Sequence, residues 1–88
     1  MIVKIDKSFV KDVARIKDKH LRKRIADCID EVRNSDSLTQ TGSLKKILGE
    51  SEYYRIRIGD FRLGIKVSGN SVIFIRALHR KDIYRFFP

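Results

Sequence analysis

The stretch that decides the fold is YYRIRIGDFRLGIKV, residues 53–67. Side chains of an extended chain alternate between two faces, so its residues divide into two sets. Tyr54, Ile56 and Ile58 fall on one face, Arg55 and Arg57 on the other. After Gly59-Asp60 the alternation resumes, with Phe61, Leu63, Ile65 and Val67 set against Arg62, Gly64 and Lys66. Two strands joined by a two-residue turn with glycine first account for this pattern. They make a sheet with one oily face and one cationic face.

A third strand follows over about residues 71–78, after Ser68-Gly69-Asn70. Read as a three-residue connection, that segment sets Val67 opposite Ser71 and Arg62 opposite Arg76. The first turn sets Ile58 opposite Phe61 and Arg57 opposite Arg62. Arg57, Arg62 and Arg76 then form a row across three strands, while Leu63, Ile65, Ile73 and Ile75 converge on the other face. Like charges directly opposite one another destabilise a sheet. A fold that keeps such a row has an anionic group to place on it.

Upstream, MIVKI (residues 1–5) reads as a short strand. Asp6 or Ser8 can cap a helix in which Phe9, Val10, Val13 and Ile16 recur at helical spacing. A second helix over about 19–33 has Leu21, Ile25, Cys28 or Ile29, and Val32 as its apolar stripe, with charged residues such as Lys23 and Asp27 on its solvated faces. Residues 34–43 read as a polar loop, and 44–50 as a short turn or strand leading into the sheet. The order β-α-α-β-β-β predicts an α+β fold: a small antiparallel sheet with a helical hairpin packed on one face, in a single domain over residues 1–88.

The 88 residues carry 20 Lys and Arg against 11 Asp and Glu. Residues 1–52 hold 12 of the basic and 9 of the acidic groups, and residues 53–88 hold 8 and 2. The excess lies in the sheet and the closing segment, where it attracts a polyanion: nucleic acid, an acidic membrane surface or an acidic protein. The apolar runs are too short to span a bilayer, and no membrane partner is expected. The start has no signal-peptide pattern, and one cysteine cannot form an internal disulfide. Both point to a reducing, cytoplasmic setting.

His20 and His79 with the single Cys28 do not make a metal-ligand set. GDFRLG lacks the order and the helix of a phosphate-cradling loop, so no metal or cofactor is expected. The final twelve residues, ALHRKDIYRFFP, bring His79, Arg80, Lys81, Tyr84 and Arg85 together just beyond the third strand. Phe86 and Phe87 can dock this end. Metal-free RNA cleavage needs a base for the 2′-hydroxyl, cations for the charge developing on phosphate, and an acid for the leaving 5′ oxygen. Arginine suits the middle task because its planar fork stays charged and binds phosphate oxygens in pairs. His79 can move protons near neutral pH, and Tyr84 can do so or stack on a base.

With two preceding helices, YYRIRIGDFRLGIKV and VIFIRALHRKDIYRFF together resemble the RelE/ParE superfamily of toxin–antitoxin toxins. The resemblance covers nearly the whole chain. It implies a toxin with a fold like that of small microbial ribonucleases, held in check by a cognate antitoxin that wraps it. In the RelE branch it implies an endoribonuclease that cuts mRNA in the ribosomal A site, with 16S rRNA contacts, by attack of the 2′-OH. DNA is then met only through the antitoxin complex. By position, Arg62 matches the arginine on the scissile phosphate, Arg80 the arginine that stabilises the transition state, and Tyr84 the C-terminal tyrosine. His79 stands where several relatives have a catalytic histidine. Arg55 and Arg57 replace residues that are often lysines, so base duty falls to His79 or Tyr84. Lys66, Arg76, Lys81 and Arg85 complete the expected RNA-binding set. The ParE branch shares the fold but poisons DNA gyrase, and a non-catalytic nucleic-acid-binding module is the third reading.

Overall fold

The computed structural model describes residues 1–36, the backbone of 44–46, and residues 52–88. Strand β1 (Ile2–Ile5) leads into helix α1 (Lys7–Ala14) and helix α2 (Lys19–Asn34). Strands β2 (Leu44–Lys46), β3 (Tyr53–Ile58), β4 (Phe61–Ser68) and β5 (Ser71–His79) follow, and a single helical turn, α3 (Ile83–Phe86), completes the order. Most of the expected polar loop after α2 lies outside the described residues.

Both long helices begin at an aspartate. The Asp6 carboxylate accepts from the Ser8 backbone N–H, and that of Asp18 accepts from His20 and Leu21, taking up donors that a helix N-terminus leaves without partners. The first helix buries Phe9, and Ile16 is buried just beyond its end, as the spacing predicts, but Val10 stays 57% exposed. The position expected of an apolar residue is taken instead by Asp12, only 5% exposed. Along α2, Ile25, Cys28 and Val32 form the buried stripe.

The five strands form one sheet in the order β1-β5-β4-β3-β2. Its β2–β5 portion is antiparallel, whereas β1 joins β5 in parallel, pairing Ile2 with Ser71 through Ile5 with Phe74. The sheet is therefore mixed, and β5, the last strand in the chain, lies beside the first. Phe9, Ile25 and Val32 from the helices pack with Ile56, Leu63, Ile65, Val72 and Phe74 from the sheet, all at most 2% exposed. Phe9 meets Phe74 edge-on, with ring centroids 5.4 Å apart. Burying each such side chain contributes about 1.5–3 kcal/mol.

The β3–β4 hairpin meets expectation and the β4–β5 hairpin departs from it. Between β3 and β4 the register is the one read from the sequence, with Ile58 opposite Phe61 and Arg57 opposite Arg62. Between β4 and β5 the turn is shorter by one residue, Ser68 pairing with Ser71 across Gly69-Asn70. A bulge then follows: Ile65 pairs with Phe74 but Gly64 with Arg76, leaving Ile75 as the extra residue. The bulge returns Arg76 to the outer face, two residues away from its expected place. Arg62 lies opposite Leu78, so the row Arg57–Arg62–Arg76 does not form. The inner face is built from Val72, Phe74 and Ala77, not from Ile73 and Ile75.

Candidate nucleic-acid site

The Gly59-Asp60 turn gathers the arginines. Gly59 has φ +55°, a conformation open to glycine at little cost, and this closes β3 onto β4 tightly. Arg57 and Arg62 then stand side by side on the outer face. Arg62 folds back so that Nη1 donates to the carbonyls of Gly59 and Phe61, both at 2.9 Å. These bonds fix its guanidinium at the rim of the turn.

Arg80 reaches the same turn from the end of β5. Its backbone N–H donates to the Asp60 carbonyl at 2.7 Å, and its Nε stands 3.9 Å from an Asp60 carboxylate oxygen. That exposed pair contributes little to stability and leaves the guanidinium 59% exposed. From α2, Arg24 Nη1 lies 3.3 Å from where a Cβ on Gly59 would sit. Four arginines thus surround a turn whose own acidic residue is Asp60.

The closing segment lies across the outer face. Gly64, opposite both Arg55 and Arg76, makes room for it: a Cβ there would stand 2.6–2.7 Å from the Phe87 ring. Phe87 is buried against this gap and meets Tyr53 edge-on at 5.6 Å. Its neighbour Phe86 is 51% exposed and lies near Arg76 and Arg85, so the docking expected of both phenylalanines falls to Phe87. Tyr84, 73% exposed, has the Arg55 guanidinium 4.5 Å from its ring centroid. Arg55 Nε is buried and has no hydrogen-bond partner among the described residues. The ring faces that guanidinium in its place.

Two expected members stand apart. Arg76 is held by Asp12, with Nε 2.7 Å from Oδ2 and Nη2 3.1 Å from Oδ1. Those hydrogen bonds raise its pKa above the ordinary arginine value. Asp12 also accepts from the Ala77 N–H at 3.0 Å, along the part of β5 that β1 does not reach. The charge of Arg76 is thereby used in fastening α1 to the sheet. His79 pairs with Phe61 and meets its ring edge-on at 5.8 Å. Phe61 packs against the core, so His79 belongs to the helix side of the sheet and Arg62 to the other. The grouping of His79 with the arginines expected from the sequence therefore does not occur.

Arg57, Lys81 and Arg85 are exposed, and Lys66 stands 3.8 Å from Glu52. His20 is exposed on α2, away from any grouping of site residues. Sequence reasoning missed Arg24, Asp12 and the approach of Phe87 to Gly64. Asp12 was visible as a carboxylate within the Phe9, Val13, Ile16 stripe, and Gly64 as a glycine inside a strand, a mark of close backbone approach. Arg24 gave no signal beyond its charge. Among the described residues no cluster of three His, Cys, Asp or Glu could hold a metal, and no helix is long and apolar enough to cross a membrane.

Residues 3–84 match the family model of the ParE toxin of type II toxin–antitoxin systems. Toxin RelE3 of Methanocaldococcus jannaschii is 49% identical over 89 residues, covering 100% of each chain. A RelB–RelE antitoxin–toxin complex from Methanococcus jannaschii contains a chain of 48% identity that superposes with a TM-score of 0.82, over 97% of this chain and 99% of that one. The YoeB dimer from Staphylococcus aureus has the same fold at 18% identity, with a TM-score of 0.72 over 90% of this chain and 95% of the other. Fold, closing motif and sequence agree: the chain belongs to the RelE/ParE superfamily of toxins of type II toxin–antitoxin systems.

Proposed function

We propose that this toxin is an endoribonuclease that cuts mRNA on the ribosome by attack of the 2′-OH on the adjoining phosphate. The observation that carries the reading is the Gly59-Asp60 turn, with Arg57, Arg62 and Arg80 around it and Tyr84 stacked on Arg55 on the same sheet face. The arginines bind the scissile phosphate and stabilise the charge that builds on it. The 2′ oxygen forms a bond to phosphorus and loses its proton, the bond to the 5′ oxygen breaks, and that oxygen gains a proton. The products are a 2′,3′-cyclic phosphate and a 5′-hydroxyl. Arginine keeps its protons, so Tyr84 is the side chain of this cluster assigned to proton transfer. His79, on the other side of the sheet, is not in this machinery.

A cognate antitoxin is the second partner. Support comes from the RelB-bound relative at 48% identity. The cytoplasm, where translated message is met, is the compartment this reading requires. The ParE name of the matching family model favours a second reading, a poison of DNA gyrase. Primer extension on a reporter message, in a reconstituted translation reaction, separates the two. Discrete cuts on translated message support the ribonuclease. Intact message, with loss of gyrase supercoiling at the same toxin concentration, supports the gyrase poison.

A further inference from the structure

Behind the arginine cluster, on the helix side of the sheet, a cleft of about 550 Å³ opens between the α1–α2 connection and the end of β5. Phe61 and His79 line it, with Asp82 at one side and Arg15 and Lys17 at the rim. The Lys81 backbone N–H donates to His79 Nδ1 at 3.1 Å, so the neutral ring carries its proton on Nε2. That N–H is the donor left for a ligand. The Asp82 side chain makes no capping hydrogen bond to α3, so its carboxylate is available as an acceptor. Asp12 and Asp18, also on the cleft wall, are engaged by Arg76 and by the start of α2.

We propose that this cleft is a second nucleotide subsite, holding a base of the message next to the cut. It rests on the reading that RNA is the substrate. One aromatic ring, one imidazole donor and one carboxylate acceptor suit the face and edge of a nucleobase, and the two rim cations suit its phosphate. Continuity with the cleavage site comes from β5. His79 faces the cleft and the next residue, Arg80, reaches the Gly59-Asp60 turn, so a strand leaving the arginines passes round the end of β5 into the cleft.

The test is a 1H–15N NMR titration of the full chain with each ribonucleoside 5′-monophosphate and with inorganic phosphate alone. Occupancy of the cleft shifts the amides of Phe61, Leu78, His79 and Asp82 saturably with nucleotide and not with phosphate. The shifts persist in Arg62→Ala. His79→Ala weakens binding about 5-fold, the effect of one lost hydrogen bond, and His79→Gln, which keeps a side-chain donor, restores part of it. Shifts confined to Arg57, Arg62 and Tyr84, or an equal response to phosphate, overturn the cleft and leave the cleavage reading standing. Saturable cleft shifts in a protein that leaves translated message intact keep the cleft and overturn the cleavage reading. In the cleavage assay, Asp82→Asn is expected to flatten the nucleotide preference beside the cut. An unaltered preference argues against a message nucleotide in the cleft.

Discussion

The β3–β4 and β4–β5 hairpins share one kind of turn and put it to opposite uses. Gly59 and Gly69 both open two-residue turns, at φ +55° and +58°. Around Gly59 stand Arg24, Arg62 and Arg80, whereas a Cβ at Gly69 would meet nothing within 4 Å. The β3–β4 pairing is regular, and its end presents cations. The β4–β5 pairing is broken by a bulge, and the arginine beyond that break is tied to Asp12. Turn chemistry sets the path of the chain. What converges on the turn decides whether it carries a site.

The contrast is most readily broken at the first turn. Arg62→Ala and Arg80→Ala are each expected to lower the rate of message cleavage by about 100–1,000-fold, the effect of removing a group that stabilises transition-state charge. Thermal unfolding should be nearly unchanged, since both guanidinium groups lie at the surface of the turn. Full growth arrest by both variants would remove the arginines from the mechanism. At the second hairpin the expected effect is on stability. Asp12→Ala leaves Arg76 and the Ala77 N–H without their partner, a loss of about 2–3 kcal/mol in chemical denaturation.

Gly64→Ala tests the residue that lies between the two. Its methyl group would intrude on the Phe87 ring, at a cost of about 1–3 kcal/mol, or would lift the closing segment and alter the surroundings of Tyr84. Denaturation together with Tyr84 NMR shifts reads both outcomes. Gly59→Ala and Gly69→Ala sharpen the comparison further, each costing about 1 kcal/mol for a side chain at positive φ. Only the change at Gly59, where Arg24 is close, should also reduce toxicity.

The smallest effect concerns the core beneath both hairpins. Burial pushes the Cys28 thiol up from 9.0 to about 11. A thiol whose folded pKa is raised contributes stability fully below the unfolded value of 9.0, and that contribution is lost as pH rises through about 11. A thiol reagent at pH 8 should therefore modify the native protein far more slowly than the denatured one.

Much of this was legible in the sequence. The alternation from Tyr53 to Val67, broken at Gly59-Asp60, is strict enough to set both the register of the first hairpin and its two faces. In SVIFIRALH, by contrast, Val72, Ile73, Phe74 and Ile75 are all apolar, and such a run serves either face. Nothing in it marks Ile75 as the bulged residue, so the displacement of Arg76 was hidden. His79 was grouped with the arginines by nearness in sequence, whereas neighbouring residues at a strand end face opposite sides of the sheet. A short alternating strand such as MIVKI announces itself but not its partner, and so the parallel pairing of β1 was not visible.

That parallel pairing also orders events during synthesis. Strand β5 holds β1 on one side and β4 on the other, and it follows all the other described strands in the chain. Chains build and fold from the N-terminus, yet here β1 must wait for β5 before it has a neighbour. A nascent chain interrupted before Ser71 would have two helices, a loose first strand and a hairpin, but no continuous sheet to hold them. Arg80 would not exist, and the turn at Gly59-Asp60 would lack the backbone bond that Arg80 gives it. A chain that stops before Ser71 therefore lacks both the strand that joins β1 to the rest of the sheet and the arginine that braces the turn.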